Sequence, residues 1–299
     1  EGWNMRSHAI RKTASDRILN AINIGVLSLV LLVVLYPLYF VIIASFSDPN
    51  AVYNGQVLFW PKGFVLEGYQ RIFSDHIIWR SYFNTAIYTV CGTAIALFLT
   101  MSIAFPLSRR YFKGRSVVTI LLIIPMYFSG GLIPGYLNVK DLGLINSLWS
   151  LILPGAISTY NLIIMKTAFA SVPDALPESA QIDGARHLTI LARIMVPLSA
   201  PTIAVLVLYY AVGHWNAWFS ASIYLQDSTL HPLQLVMRNI LNSADVSEML
   251  GDVGGEDQAR YVELIKYALI MVSTVPILVL YPFLQKYFVK GVMIGAIKG

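Results

Sequence analysis

Charge is what this sequence has least of. Of its 299 residues only 12% are Asp, Glu, Lys or Arg, against about 25% in a soluble domain. Six stretches contain none of them: 18–47, 81–108, 116–139, 142–165, 194–226 and 267–285. A helix needs roughly 20 apolar residues to cross a bilayer, and each run reaches that length once its ends sit at the interfaces. Lipid offers backbone groups no partner, so a spanning segment must satisfy its own and be helical. The expected fold class is an all-α membrane protein with six transmembrane helices.

Further absences exclude whole classes of chemistry. Cys91 is the only cysteine, so no internal disulfide forms, and its place inside the second run reads as packing. The dipeptide Gly-Lys occurs nowhere, so the chain cannot bind ATP through a P-loop. His8, His76, His187, His214 and His231 show no paired ligand spacing, and no metal site is expected. A Gly-x-Ser-x-Gly nucleophile motif is also missing. No enzymatic activity and no cofactor are expected. The uncharged runs lack the carboxylates and cations by which ion-coupled carriers bind and release a driving ion. Energy, where it is used, must arrive from another subunit.

The charge that is present lies on one side. With six spans, segments 1–17, 109–115, 166–193 and 286–299 face the same compartment and hold 14 of the 21 Lys and Arg. The positive-inside rule makes that side the cytoplasm, which places both termini there. The net charge of +5 is then topological, and nucleic acid is not an expected partner. The apolar run after Arg17 is too long for a signal-peptide core and has no small-residue cleavage site after it, so it reads as the first span. The organisation expected is a cytoplasmic segment 1–17, one six-span domain 18–290 with a cytoplasmic loop 166–198, and a tail 291–299.

Polar uncharged groups do occur in the runs. Asn84, Asn161, Tyr209 and the cluster His214, Trp215 and Asn216 are candidates to line a solute path. The competing reading is interhelical hydrogen bonding, the common use of such residues in membranes. "SGGLIPGYL", from Ser129 to Leu137, puts Gly130, Gly131, Pro134 and Gly135 close together. That end of the third run should be kinked or unwound near the outer surface. The outer loop 227–261 contains "LQLVMRNIL", a short amphipathic candidate, and the soft "GDVGGEDQAR" with Gly254 and Gly255.

Against this background the stretch "PESAQIDGARHLTILARIMVP", residues 177–197, is unusually polar. Asp174 is placed to cap a helix starting at Ala175, with Pro177 tolerated in the first turn and Glu178 favourable to the helix dipole. Leu176, Ala180 and Gly184 recur every four residues and share a face, on which small residues permit close approach. Gly184 should end the helix. A second helix follows, with Leu188, Leu191 and Met195 on one side and Arg186 and Arg193 near its ends, and Pro197 leads into the fifth span. The alternative is an amphipathic hairpin lying on lipid, which its low basic content, Glu178 and Asp183 oppose.

These residues resemble a family, the permease subunits of ATP-binding-cassette (ABC) importers. The family's cytoplasmic loop carries Glu-Ala-Ala, then Gly, then an Ile-x-Leu-Pro ending. Here the counterparts are Glu178-Ser179-Ala180, Asp183-Gly184-Ala185 and Ile194-Met195-Val196-Pro197, with Ser179 for Ala and Val196 for Leu as mild departures. "YPLYFVIIASFSDP", "FSGGLIP" and "HWNAWF" look like the carbohydrate branch, oligosaccharide and polysaccharide members above all, including those for uronate polymers such as alginate. The resemblance spans about residues 18–290.

It implies a multi-pass protein of the bacterial inner membrane, surrounded by lipid and acting as half of a permease heterodimer. The other parts are two ATP-binding subunits, an extracytoplasmic solute-binding protein and a saccharide substrate. By the same resemblance 175–183 is the helix that couples to the ATPase, with Glu178, Ser179, Ala180, Asp183, Gly184, Ala185, Arg186 and Pro197 as its site. Gly130, Gly131, Gly254 and Gly255 would face the binding protein. The readings set against this one are an ion-coupled secondary sugar carrier and a membrane scaffold with no transport path.

Overall fold

A computed structural model describes residues 14–242 and 265–279, together with residue 282. Every regular element among the described residues is helical. The first, α1 (Ala14–Ser45), is apolar on all sides. Only 6% of its most apolar 18-residue window is buried, against 39% for α2 (His76–Ser108). A helix apolar all round belongs in lipid or against another chain. The 33 residues of α2 make a rod about 50 Å long, enough to cross a bilayer core of about 30 Å with a turn or two to spare at each end.

The remaining runs are broken. Run 116–139 divides into α3 (Arg115–Tyr127) and α4 (Leu132–Asp141), bent by 117°. The bend falls at the glycine cluster, where Gly131 has φ 87, a conformation that side-chain-bearing residues rarely adopt. The kink expected there is a full turn aside. Run 142–165 is not one helix either. A single turn, Trp149–Ile152, precedes Pro154 and Gly155, and α5 (Thr159–Ala170) starts beyond them. Proline removes a backbone donor, so the break is local chemistry. Run 194–226 begins inside α7 (His187–Leu198), which meets α8 (Ala200–Trp215) at 89° across Ser199. Between α5 and α7 lies the short α6 (Ala175–Ile182). The amphipathic segment of loop 227–261 forms α9 (Leu233–Asn242), and α10 (Ile265–Val279) follows. Two described helices are long and apolar enough to span, or up to four when each bent pair counts as one.

Two apolar clusters hold these pieces together, one toward each end of α2. Near its start, Ile78 packs with Ile72, Trp215, Leu233, Val236 and Ile240, and with Ile265 and Leu269 of α10. Near its end, Ala104, Phe105 and Leu107 pack with Leu162, Met165 and Phe169 of α5 and with Ile190, Leu191 and Met195 of α7. Leu188 was expected beside Leu191 and Met195, yet it is 73% exposed. Ile190, two residues and about 200° further round the helix than Leu188, takes the buried side, and the π-turn over Leu191–Met195 brings Met195 into register with it.

Candidate functional site

The site of greatest interest gathers at the α2 C-terminus, where 109–112 meets 174–186. Asp174 precedes α6 with helical φ −61 and ψ −26, and its side chain makes no cap hydrogen bond. The expectation that it caps the helix is corrected: its carboxylate accepts instead from Arg109, with Nη1 to Oδ1 2.9 Å. Pro177 is buried, and Ala180 is half-buried against the cluster around Phe169. The stripe Leu176, Ala180 and Gly184 is therefore not one outward face. The small Ala180 lets α6 approach the body of its own chain.

The helix ends as its glycine requires. Gly184 has φ 80, its N–H donates to Gln181 O at 3.0 Å, and Ala185 N–H donates to Ala180 O at 2.9 Å. This is a Schellman ending, which satisfies carbonyls the last turn leaves free. Nothing lies within 4 Å of the position a Gly184 β-carbon would take, so the surface there is open. Glu178, Ser179 and Asp183 are exposed, and so are Arg186 and Pro197. Ile182 is 87% exposed. It is the most exposed of the large apolar side chains on α6, and no sequence signal singles it out.

Arg109 was also missed, having been read only as one of the basic residues that set topology. It is 1% exposed. Its Nε donates to Ser108 Oγ at 3.0 Å, its Nη1 to Asp174 and its Nη2 to the carbonyl of Phe169. Phe169 lies in the last turn of α5, where carbonyls have no intrahelical partner. One planar guanidinium thus closes the ends of α2 and α5 and holds the first residue of the α6 segment. A cavity of about 370 Å³ opens beside it, lined among others by Arg110, Tyr111, Glu178 and Gln181.

The other end of α2 holds the segment 229–233. Asn84 Nδ2 donates to Thr229 O at 2.8 Å and His231 O at 3.2 Å. Tyr88 Oη donates to Leu230 O at 2.6 Å, and Leu233 N–H donates to Thr85 Oγ1 at 2.8 Å. Asn146, at φ 58, accepts from the N–H groups of Gln226 and Asp227 at 3.1 and 2.9 Å. Residues 109 and 174 therefore share one end of the bundle, and residues 84 and 229–233 share the other.

The residues read as path-lining are not gathered at one point. The Asn84 amide is engaged as described. Trp215 is buried and its indole N–H donates to Ser273 O at 3.2 Å. Asn161 is buried. Tyr209 is 44% exposed, tilted against Tyr160 with ring centroids 6.4 Å apart. Asn216 Oδ1 accepts from Gln234 Nε2 at 3.5 Å. His214 lies against Gly92 of α2. A cavity of about 430 Å³ between α2, α8 and α10 has a nearly apolar lining that includes Val90, Leu97, Val207 and Ile277. Thr89 and Thr93 border it, and their buried hydroxyls have no hydrogen-bond partner among the described residues. Such a wall offers few partners to a sugar. Gly130 and Gly131 are exposed in the α3–α4 break, whereas Gly254 and Gly255 lie outside the described residues.

Residues 92–294 match the family described as the inner membrane component of binding-protein-dependent transport systems. Protein LplC of Bacillus subtilis is 41% identical over 292 residues, covering 98% of this chain and 99% of its own. The polygalacturonan/rhamnogalacturonan transport system permease protein YtcP of the same organism is 42% identical over 286 residues, covering 95% and 99%. A chain from the crystal structure of a bacterial ABC transporter involved in the import of the acidic polysaccharide alginate superposes with a TM-score of 0.84 at 31% identity. That match covers 92% of this chain and 98% of the other.

Proposed function

The chain belongs to the family of binding-protein-dependent transport system inner membrane components, and on that premise we propose that it forms one half of the translocation path of an ATP-driven importer for oligo- or polysaccharides, with acidic uronate polymers as the favoured class. It is a permease with the type I ABC permease fold and a component of the inner membrane. The substrate class rests on the named cargo of its relatives, a galacturonan and alginate. In this reading six spans cross the bilayer within 18–290, both termini and loop 166–198 face the cytoplasm, and a second permease completes the path. The chain hydrolyses no ATP itself; two ATP-binding subunits do so, and a binding protein delivers sugar to the outer face near Gly130 and Gly131. Tyr209 and Asn216 are the accessible polar groups on this half of the path, and the partner permease supplies further ones.

One observation carries the coupling role. A short helix, stopped by Gly184 at φ 80 and docked inward through Pro177 and Ala180, presents Glu178, Ser179 and Ile182 outward. A groove on an ATPase would take Ile182 as its apolar knob and pair Glu178 with a basic group. Gly184→Trp tests this, with Gly184→Ala as the control that carries the same left-handed strain without the bulk. The expected outcome is that the tryptophan variant reaches the membrane but fails to co-purify with the ATPase, while the alanine variant still does. Normal assembly and uptake with Gly184→Trp would sink the reading.

A further inference from the structure

The reading above leaves open how a movement of α6 reaches the spanning helices. Among the described residues α6 touches the membrane body in two ways. Ala180 packs on the apolar cluster around Phe169, and Pro177 is buried at the cavity it shares with Arg109 and Tyr111; such burial is non-directional and allows sliding. The other link is the Arg109–Asp174 pair, the only side-chain hydrogen bond there that ties 174–185 to another element. A guanidinium offers its donors in a rigid planar fork. Here each of its three nitrogens donates, to Ser108 at the end of α2, to Asp174, and to the Phe169 carbonyl at the end of α5. Arg109 is 1% exposed, so a guanidinium that loses a protein partner there leaves a buried donor poorly satisfied.

We propose that Arg109 is a positioning residue for force transmission: through Asp174 it fixes the register of the coupling helix against α2 and α5, so that displacement of α6 moves both spans as one body. The inference rests on the coupling role of α6 and adds the part that role lacks. Without the pair, α6 still docks through its outward face. It then slides on Pro177 and Ala180 instead of pulling, and ATP is hydrolysed without matching movement of the spans.

The test uses the whole complex, with partner permease, ATPases and binding protein, in liposomes. Asp174→Ala removes the acceptor, and because Asp174 is half-exposed and caps nothing, the helix itself is kept. Asp174→Glu retains a carboxylate for the guanidinium. The expected result for Asp174→Ala is normal co-purification with the ATPases, normal basal hydrolysis, and sugar uptake per ATP reduced about fivefold or more. Asp174→Glu should restore that ratio to within about twofold of wild type. An unchanged ratio in Asp174→Ala, loss of ATPase assembly in that variant, or failure of Asp174→Glu to rescue would each overturn the proposal. A wild-type complex that takes up no sugar with ATP would instead defeat the coupling role itself.

Discussion

Gly92 of α2 and His214 of α8 meet at van der Waals range: a β-carbon on Gly92 would lie 2.6 Å from both Cε1 and Nε2 of the imidazole. The two helices cross there because one of them has no side chain. Small residues set helix spacing in membranes in this way.

Gly92→Ala should therefore force the helices apart or the histidine from its rotamer, at a cost of about 1–3 kcal/mol. Thermal unfolding in detergent should show the loss as a lowered Tm. The double variant Gly92→Ala with His214→Ala should be more stable than the sum of the single losses allows, since the two side chains share one space. Additive losses would mean that the crossing is not the contact at fault.

The clamp on segment 229–233 predicts an order of effects. Thr85→Val leaves the buried Leu233 N–H without its acceptor, at a cost of about 1–3 kcal/mol. Tyr88→Phe removes one bond to a part-buried carbonyl, worth about 1 kcal/mol. Hydrogen exchange across 229–236 should accelerate more in Thr85→Val than in Tyr88→Phe. The reverse order would show that the tyrosine, not the α9 N-terminus, holds this segment.

Asp227 begins the same segment. Its side chain accepts from Thr229 N–H at 2.8 Å, and hydrogen bonding to Thr229, aided by the charges of Arg80 and His231, lowers its pKa below 3.8. A depressed carboxylate pKa contributes order that is complete above the unfolded value and is lost as pH falls through the folded one. Exchange protection of Thr229 should therefore hold constant from neutral pH down to 3.8 and decline only below it. A decline beginning near neutral pH would mean that the Asp227 carboxylate does not hold this turn.

Much of the site around α6 is visible in the order of its residues. Gly184 ends α6, Glu178 and Asp183 are exposed, and the glycines of 129–137 bend the chain, each because a local backbone preference acts within a turn or two. The lipid character of 18–47 and 81–108 is equally local, since charge is absent along the whole length of each helix. Two of the six runs do become single long helices. Others break at Pro154, a local proline signal that the count of apolar residues overlooks, and at Ser199.

The amino-acid order by itself determined that the chain lives in lipid as helices, and that a polar glycine-stopped helix interrupts them. Composition and backbone preference act residue by residue, so no partner is needed to read them. Only the tertiary structure decided that Arg109 and Asp174, 65 positions apart, form one part-buried link, that Ala180 faces inward, and that Ile182 is left outside. A side chain's partner depends on which helix ends converge in space, and a linear pattern carries no term for that convergence.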